Sequence, residues 1–229
     1  MRMIFVRHGH PDYKKDCLTE LGHKHAEAVA ERLAEEPIAR IYSSTCGRAV
    51  ETAEHIAARF GNMPIESFHY MRELRWWPLD GVPLEHKGYP WTVVADMVNN
   101  GEDILSKNWT EEPRFSNNGV KFLAENLGNQ LDKLIAELGY VREGNYYRVE
   151  RENPETVVMV SHGGASSAAF AHLFNIPLPF FCASLRPDFT AVTVVKFTGP
   201  EGMLITPRFE IANDSRHISG ITEDTVFGN

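Results

Sequence analysis

Short apolar runs alternate with segments of helical periodicity through most of this 229-residue chain. "MIFV" begins at Met3, "ARIYSS" precedes a helical run that ends near Gly61, and "TVVMVS" leads into another helical run after His162. Strands that alternate with helices form a mostly parallel sheet whose two faces the helices cover. We therefore predict an α/β fold: a three-layer α/β/α sandwich with a mostly parallel central sheet, in a single domain over residues 1–229.

The helical segments carry their own start and stop signals. Thr19 stands where an N-cap is expected, ahead of an apolar stripe that includes Leu21, Val29 and Leu33. Leucines at helical spacing predict a long amphipathic helix within residues 116–139. These segments are long enough to cover the faces of the predicted sheet.

The C-terminal third reads mainly as strands. "YVREGNYYRVE" predicts a hairpin that turns at Gly144 and Asn145. "AVTVVKFTG" and "MLITPRFEI" predict one late strand each, and the polar tail from Asn213 is expected to be loosely packed.

The alternation is lost between about residues 70 and 115. This stretch holds several prolines and all four tryptophans, among them Trp76, Trp77 and Trp91. A segment of that length without a period is either a functional lid or an insert whose helices are hard to recognise. We predict a helical or irregular lid insert here, in which Trp76 and Trp77 either line a pocket or fill the core of the lid.

Composition excludes several classes of protein. A formal net charge of −8 argues against a nucleic-acid partner, because such proteins present a basic face. Cys17, Cys46 and Cys182 are far apart, so we expect neither a disulfide framework nor a zinc site. The first residues contain too short an apolar run for a signal peptide, and no run is long enough to span a membrane. We expect a cytoplasmic protein without a membrane partner, and a homodimer stays open.

Polar residues follow three of the predicted strands, where ligands bind in sheets of this kind. Arg7-His8-Gly9 ends the first strand, Ser43-Ser44 ends the second with Arg48 just beyond it, and Ser161 to Gly164 end a third. Arginine forks match phosphate oxygens, and open N–H groups at a helix start add further donors. The sequence therefore predicts a phosphate site.

Histidine gives such a site a chemical capability beyond binding. A neutral imidazole has one nitrogen that can attack phosphorus, hold the phosphoryl group and later yield it to water. Phosphoryl transfer depends largely on positioning and charge stabilisation. We therefore expect neither a metal nor another cofactor.

Five stretches resemble, in order, the landmarks of a known family. These are "VRHG", "LTELG", "IYSSTCGRAVETA", "MRELRWWPLDG" and "VVMVSHGG", which together span about residues 3–170. They are similar to those of the histidine phosphatase superfamily, in its phosphoglycerate mutase-like branch. The resemblance implies that His8 is the nucleophile and that Arg7, Arg48 and His162 bind the phosphoryl group.

The same resemblance assigns roles to three further residues. Glu73 would protonate the leaving oxygen and then activate water, while Gly9 and Gly163 would let the backbone approach the ligand. Asp12, Asp80 and Glu51 are alternative carboxylates for the acid role. The chain departs from the family pattern at two places. After Arg-His-Gly, family members usually have Glu or Gln followed by Thr or Ser, whereas this chain has His10-Pro11. After the acid Glu73, "RWWPLDG" replaces the usual segment. His10 is a candidate to replace the missing hydroxyl contact.

Three functions fit these residues. The one we favour is a metal-independent phosphatase that hydrolyses a small phosphomonoester through a phosphohistidine. A mutase would return the phosphoryl group to the substrate and would need more lysine and arginine in the lid. The third is a non-catalytic module that senses a phosphorylated ligand.

Overall fold

The computed structural model describes residues 1–222. Its helices are α1 Glu20–Arg32, α2 Gly47–Arg59, α3 Pro90–Asn99, α4 Pro113–Ser116, α5 Val120–Glu137, α6 Gly163–Phe174 and α7 Leu178–Ser184. Its strands are β1 Arg2–Arg7, β2 Pro11–Asp12, β3 Cys17–Leu18, β4 Ile38–Ser44, β5 Ile65–Phe68, β6 Tyr140–Glu143, β7 Tyr146–Val149, β8 Thr156–Ser161, β9 Val192–Lys196, β10 Leu204–Ile205 and β11 Arg208–Asp214.

The central sheet has six strands in the order β11-β9-β1-β8-β4-β5. The strands β1, β8, β4 and β5 are parallel, and β9 runs antiparallel to both of its neighbours. In register, Arg7 lies opposite Ser161, and Val160 lies opposite both Val6 and Ser43. The carboxyl ends of β1, β8 and β4 are therefore level, and the predicted α/β fold with a mostly parallel sheet is confirmed.

The two faces of the sheet bury separate sets of side chains because successive residues of a strand point to opposite sides. Met3 and Phe5 of β1 belong to the core that the sheet shares with α5 and α6. Ile4 and Val6 belong to the second core, against α1 and α2. This is the three-layer arrangement that the sequence predicts.

The insert is more helical than its sequence suggests. It contains α3, α4 and a 3-10 turn at His69–Met71, and at Glu85–Gly88 a turn in which His86 and Lys87 have left-handed backbone angles. Pro90 occupies the first turn of α3, where its missing N–H costs nothing, and α3 buries Val93, Val94 and Met97 in the larger core. The insert is thus packed into the main body of the protein.

The structure confirms the hairpin and corrects the end of the chain. β6 and β7 pair across Gly144 and Asn145, and β10 adds a third strand. The expected strand "MLITPRFEI" is two strands, β10 and β11, because Pro207 between them cannot donate a ladder hydrogen bond.

The expectation of a loose tail is wrong for residues 213–222 and lies outside the described residues for 223–229. Thr190 Oγ1 and His217 Nε2 lie 3.1 Å apart, and His25 Nε2 lies 3.4 Å from the carbonyl oxygen of Ile221. These contacts attach the tail to α1 and to the loop before β9. Among the helices of residues 1–222, none combines the length and the apolar character needed to span a membrane.

Candidate active site

Arg48 connects the two histidines that end neighbouring strands. It lies in the first turn of α2, and its Nε is 3.3 Å from Nε2 of His8 while its Nη2 is 3.1 Å from Nδ1 of His162. Its Nη1 forms an ion pair with Asp16, whose other oxygen accepts a 3.0 Å hydrogen bond from the N–H of Gly47. One guanidinium is therefore held among three partners at the carboxyl edge of the sheet.

His8 is held in the tautomer that a nucleophile requires. Its side chain is buried, and Nδ1 lies 2.7 Å from the carbonyl oxygen of Gly9. A carbonyl can only accept, so Nδ1 carries the proton and Nε2 keeps its lone pair. Burial lowers the pKa of His8 to about 3, and the charges of Arg48 and Arg7 act in the same direction. The ring is therefore neutral across the ordinary pH range.

His162 is the second buried imidazole of the site. Its ring centroid is 5.1 Å from that of His8. Because Arg48 donates to Nδ1, the proton is on Nε2, which donates to Ser44 Oγ at 2.8 Å. Burial holds the pKa of His162 well below its usual range, and the neighbouring His8 and Arg48 add to this effect. Both imidazoles are therefore uncharged.

Arg7 is fixed at one edge of its guanidinium and has a free donor at the other. Its Nη1 donates to the carbonyl oxygen of Pro187 at 2.7 Å, and the group lies 4.2 Å from the centre of the Phe189 ring. Its Nε is buried and has no partner among the residues that the structure describes. That atom lies close to Gly163, at the start of α6. A buried free donor beside a helix start is suited to an anion.

Glu73 receives the open N–H groups at the start of α6. Its Oε1 accepts from Ala165 at 3.0 Å, and its Oε2 accepts a longer bond of 3.4 Å from Gly164. The N–H of Leu74 also donates to Oε1, at 3.0 Å. Burial raises the pKa of Glu73, while these bonds and Arg7 oppose the rise. Glu73 thus combines a fixed position with a raised proton affinity.

The glycines of the site differ in how much room a side chain would have at each position. A Cβ on Gly9 would lie 2.5 Å from the carbonyl oxygen of Gly22, so this glycine allows the chain to pack against α1. A Cβ on Gly163 would meet only ordinary contacts, whereas one on Gly164 would lie 2.7 Å from Glu73 Oε1. The close approach at the start of α6 is thus between Gly164 and Glu73.

A cavity of about 320 Å³ is lined by Arg7, Glu73 and Gly163, whereas His8, Arg48 and His162 are not among its lining residues. Most of its remaining wall is aromatic; the lining residues are Arg7, Tyr13, Glu73, Leu74, Trp76, Tyr89, Trp91, Gly163, Arg186 and Pro187. Trp76 and Trp77 both line a second cavity that Glu73 also borders, and Trp76 lines the first cavity as well, while Trp77 packs over Gly119. The insert therefore supplies much of the wall on the substrate side.

The alternative carboxylates are engaged elsewhere. Asp12 accepts from the N–H groups of Lys14 and Lys15, and Asp80 binds Val82 and Asn117 within the insert. Glu51 accepts a 2.6 Å hydrogen bond from the N–H of Leu18. None of these three lines the cavity that Glu73 reaches.

His10 contacts the residue that caps α1. His10 Nδ1 lies 2.9 Å from Thr19 Oγ1, at the cap of α1.

Sequence reasoning missed Asp16, Tyr13 and Phe189, which hold or cover the two arginines. It gave no role of its own to Gly164, although two consecutive glycines at a helix start are costly for a helix and indicate a steric demand. Within residues 1–222, no three His, Cys, Asp or Glu side chains are grouped as metal ligands.

Two histidines and two arginines meet beyond the carboxyl ends of parallel strands, an arrangement suited to binding a phosphate group. Comparison with known proteins specifies the family. The sequence model of the histidine phosphatase superfamily (branch 1) matches residues 3–207. The chain belongs to this superfamily, and the family predicted from the five sequence stretches is confirmed.

Named relatives include both mutase-like proteins and phosphatases. Phosphoglycerate mutase-like protein 4 of Arabidopsis thaliana is 30% identical over 175 residues, which are 71% of this chain and 66% of the plant protein. The glucosyl-3-phosphoglycerate phosphatase of Mycolicibacterium vanbaalenii is 26% identical over 186 residues, 77% of this chain and 76% of the relative. A phosphoserine phosphatase from Entamoeba histolytica, crystallised with 3-phosphoglyceric acid, shares the fold with a TM-score of 0.61. At 19% identity, that match covers 95% of this chain and 98% of the other.

Proposed function

We propose that this protein is a phosphatase that hydrolyses a small phosphomonoester through a phosphohistidine on His8, without a metal. The observation that carries the proposal is the state of His8: its proton is on Nδ1, bound to the Gly9 carbonyl oxygen, and its Nε2 lone pair faces Arg48. An imidazole fixed in this tautomer beside a cation is ready to attack a bound phosphoryl group.

The first step forms the bond between Nε2 of His8 and phosphorus. The bond from phosphorus to the ester oxygen breaks, and the electron pair leaves with that oxygen. The Nε of Arg7 and the donors of Arg48 bind the phosphoryl oxygens, which frees Nε2 from its long contact with Arg48. The phosphate dianion raises the proton affinity of His162, whose imidazolium then donates a hydrogen bond to the same group.

Glu73 completes both halves of the reaction. Burial raises the pKa of Glu73, which favours the protonated form that the leaving oxygen requires. The resulting carboxylate then accepts a proton from the water that attacks phosphorus. The bond to Nε2 breaks, inorganic phosphate leaves, and both His8 and Glu73 return to their initial states.

The insert adds no positive charge to the cavity that Arg7 lines, which favours hydrolysis over a mutase reaction. A mutase must hold its substrate by a second anion site while it excludes water, and the insert is the natural source of such cations. Arg114 of the insert is paired with Glu85 and Glu102, and Arg72 donates to Thr45. Neither arginine lines the cavity. The phosphatase names among the relatives agree with this choice.

A steady-state assay tests the proposal. Purified protein, with a chelator present, is given a panel of small phosphomonoesters, and release of inorganic phosphate is followed. We expect metal-independent turnover that is lost in His8→Ala and retained in His23→Ala, an exposed histidine on α1 that serves as the matched control. Turnover by His8→Ala at the wild-type rate would contradict the mechanism.

The same panel separates the alternatives. Exchange between 2- and 3-phosphoglycerate without phosphate release would identify a mutase. Binding of phosphate without any turnover would identify the non-catalytic module.

A further inference from the structure

Asp16 binds the one guanidinium nitrogen of Arg48 that does not face an imidazole. The Nε and Nη2 groups of Arg48 form one two-donor edge, and this edge faces His8 and His162. The third nitrogen, Nη1, forms the ion pair with Asp16. A phosphoryl group attacked by His8 meets the first edge, whose two donors match two phosphoryl oxygens. The ion pair therefore fixes the direction of this edge and leaves it open to a ligand.

Asp16 is itself held by the start of α2. Its Oδ2 accepts a 3.0 Å hydrogen bond from the N–H of Gly47, the first residue of that helix. This N–H is one of the groups that have no partner inside a helix, and the helix dipole favours a carboxylate beside it. Asp16 therefore ties the guanidinium of Arg48 to the first turn of the helix that carries Arg48.

The backbone has two unusual features where Asp16 meets α2. Asp16 has a left-handed conformation with a φ of 54°, which is uncommon for a residue other than glycine. A Cβ on Gly47 would overlap the carbonyl oxygen of Asp16, so glycine is required for the two segments to approach. Strained positions of this kind are concentrated at functional sites. Both features serve to bring the carboxylate of Asp16 to Arg48.

The charge of Asp16 opposes the binding of a phosphate ion. A carboxylate next to Arg48 offsets part of the positive charge that attracts the anion, so the ion pair does not raise the affinity of the site for phosphate. Its benefit is the orientation of the two donors. Orientation matters most in the transition state, where a misplacement of about 1 Å costs about 10²-fold in rate.

We propose that Asp16 is a positioning residue for phosphoryl transfer, which orients the Nε and Nη2 donors of Arg48 toward the group in transfer and lowers the affinity for the phosphate that is released. This inference rests on the proposed function, because it places the phosphoryl group at His8. Asp16 does not contact the reacting atoms, and its effect passes through Arg48.

Asp16→Asn tests the role of the carboxylate with little other change. Asparagine tolerates a left-handed backbone as aspartate does, but its single acceptor oxygen cannot serve both Arg48 and Gly47. The substrate is p-nitrophenyl phosphate, whose leaving group departs without a proton from Glu73. We expect kcat to fall about tenfold or more, and the inhibition constant of inorganic phosphate to stay the same or decrease.

Asp12→Asn is the matched control. Asp12 lies in the same hairpin, four residues before Asp16, and accepts hydrogen bonds from the N–H groups of Lys14 and Lys15. We expect this variant to change kcat and the inhibition constant of phosphate by less than twofold.

The direction of the phosphate effect separates positioning from damage to the site. If Asp16 only kept Arg48 in a folded state, its replacement would weaken phosphate binding as much as it lowers kcat. Such a parallel loss would overturn the proposal, and so would a kcat of Asp16→Asn equal to that of the wild type.

A double-mutant cycle tests whether Asp16 acts through Arg48. Arg48→Met keeps the apolar length of the side chain and removes the donors. In that background we expect Asp16→Asn to cause no further loss of kcat, because residues that act through one contact are not additive. A further tenfold loss would show that Asp16 acts on another group, which would overturn the proposal.

Calorimetric binding of orthovanadate does not need turnover. Vanadate adopts the five-coordinate geometry that phosphorus has during transfer, so its affinity reports on donors placed for the transition state. We expect Asp16→Asn to weaken the Kd of vanadate about tenfold while the Kd of phosphate stays the same or decreases. This pattern supports Asp16 even where hydrolysis, and with it the proposed function, fails; an unchanged Kd of vanadate overturns the role of Asp16.

Discussion

Replacing Gly164 by alanine should disable Glu73, the proposed general acid, without changing a residue that reacts. An ideal Cβ at this position lies 2.7 Å from Glu73 Oε1, and carbon and oxygen do not approach so closely. The new methyl is also 3.6 Å from the Trp91 ring, so it has little room to move away. The carboxyl group of Glu73 must therefore shift.

The size of the shift sets the expected loss. Restoring an ordinary contact of about 3.4 Å requires Glu73 Oε1 to move by about 0.7 Å, which breaks its hydrogen bonds from Ala165 and Leu74. A misplacement of about 1 Å in a catalytic geometry costs about 10²-fold in rate, and a general acid contributes about 10²–10⁴-fold. We expect kcat for an alkyl phosphate to fall about 10- to 100-fold.

The assay is a comparison of leaving groups in single-turnover kinetics. The phosphorylation step with p-nitrophenyl phosphate, whose leaving group departs without a proton, should slow much less than the step with an alkyl phosphate. Inhibition by inorganic phosphate should stay within about threefold, because Arg7, Arg48 and His162 are in place. A Gly164→Ala protein that folds normally and handles both substrates at wild-type rates would refute the placement of Glu73.

Three further predictions concern the cap of α1 and the titration of the site. Thr19→Ala should lower the free energy of unfolding by about 1 kcal/mol, because Thr19 Oγ1 accepts from the N–H of Gly22, and Thr19→Ser should keep most of it in a urea titration. Since burial lowers the pKa of His8 from 6.5 to about 3, only the unfolded chain takes up this proton as the pH falls below about 6.5. The free energy of unfolding should therefore decline as the pH falls, with a slope of up to about 1.4 kcal/mol per pH unit. His8→Asn should remove this slope, and equal slopes in the wild type and the variant would contradict the neutral state of His8. The profile of kcat/KM should rise as His8 loses its proton, near pH 3, and fall as Glu73 ionises, above its ordinary value of 4.5; Glu73→Gln should abolish the alkaline fall.

The sequence is most informative where structure is decided locally. Apolar runs mark β1, β4 and β8, and the polar residues that follow them lie at one edge of the sheet. The cap at Thr19 and the turn at Gly144 are likewise set by adjacent residues. These signals suffice to predict the architecture and the residues that meet at the candidate site.

Contacts between distant segments were not predictable in the same way. Glu73 is 92 residues from Ala165, Arg7 is 180 residues from Pro187, and Arg48 is 32 residues from Asp16. Such pairs depend on how loops lie once the sheet has formed, which no local pattern encodes. The sequence therefore indicates which residues are candidates for the chemistry but not what orients them.

The sequence of α3, in the insert, has a helical pattern that its surroundings obscure. Pro90, Val93, Val94 and Met97 have helical spacing and bury one face of α3, with proline in the first turn. Surrounding prolines, tryptophans and charges hide this pattern. The helix α7 is harder to recognise, because it has seven residues and is apolar on most sides.

Trapping the covalent intermediate tests the central claim most directly. Enzyme mixed with substrate is quenched in alkali, where a phosphoramidate survives, and the modified residue is located by mass spectrometry. The account predicts one phosphoryl group on His8 that forms and decays as fast as turnover, and none in His8→Ala. Turnover with no phosphorylated histidine, or with the phosphoryl group on His162, would contradict it.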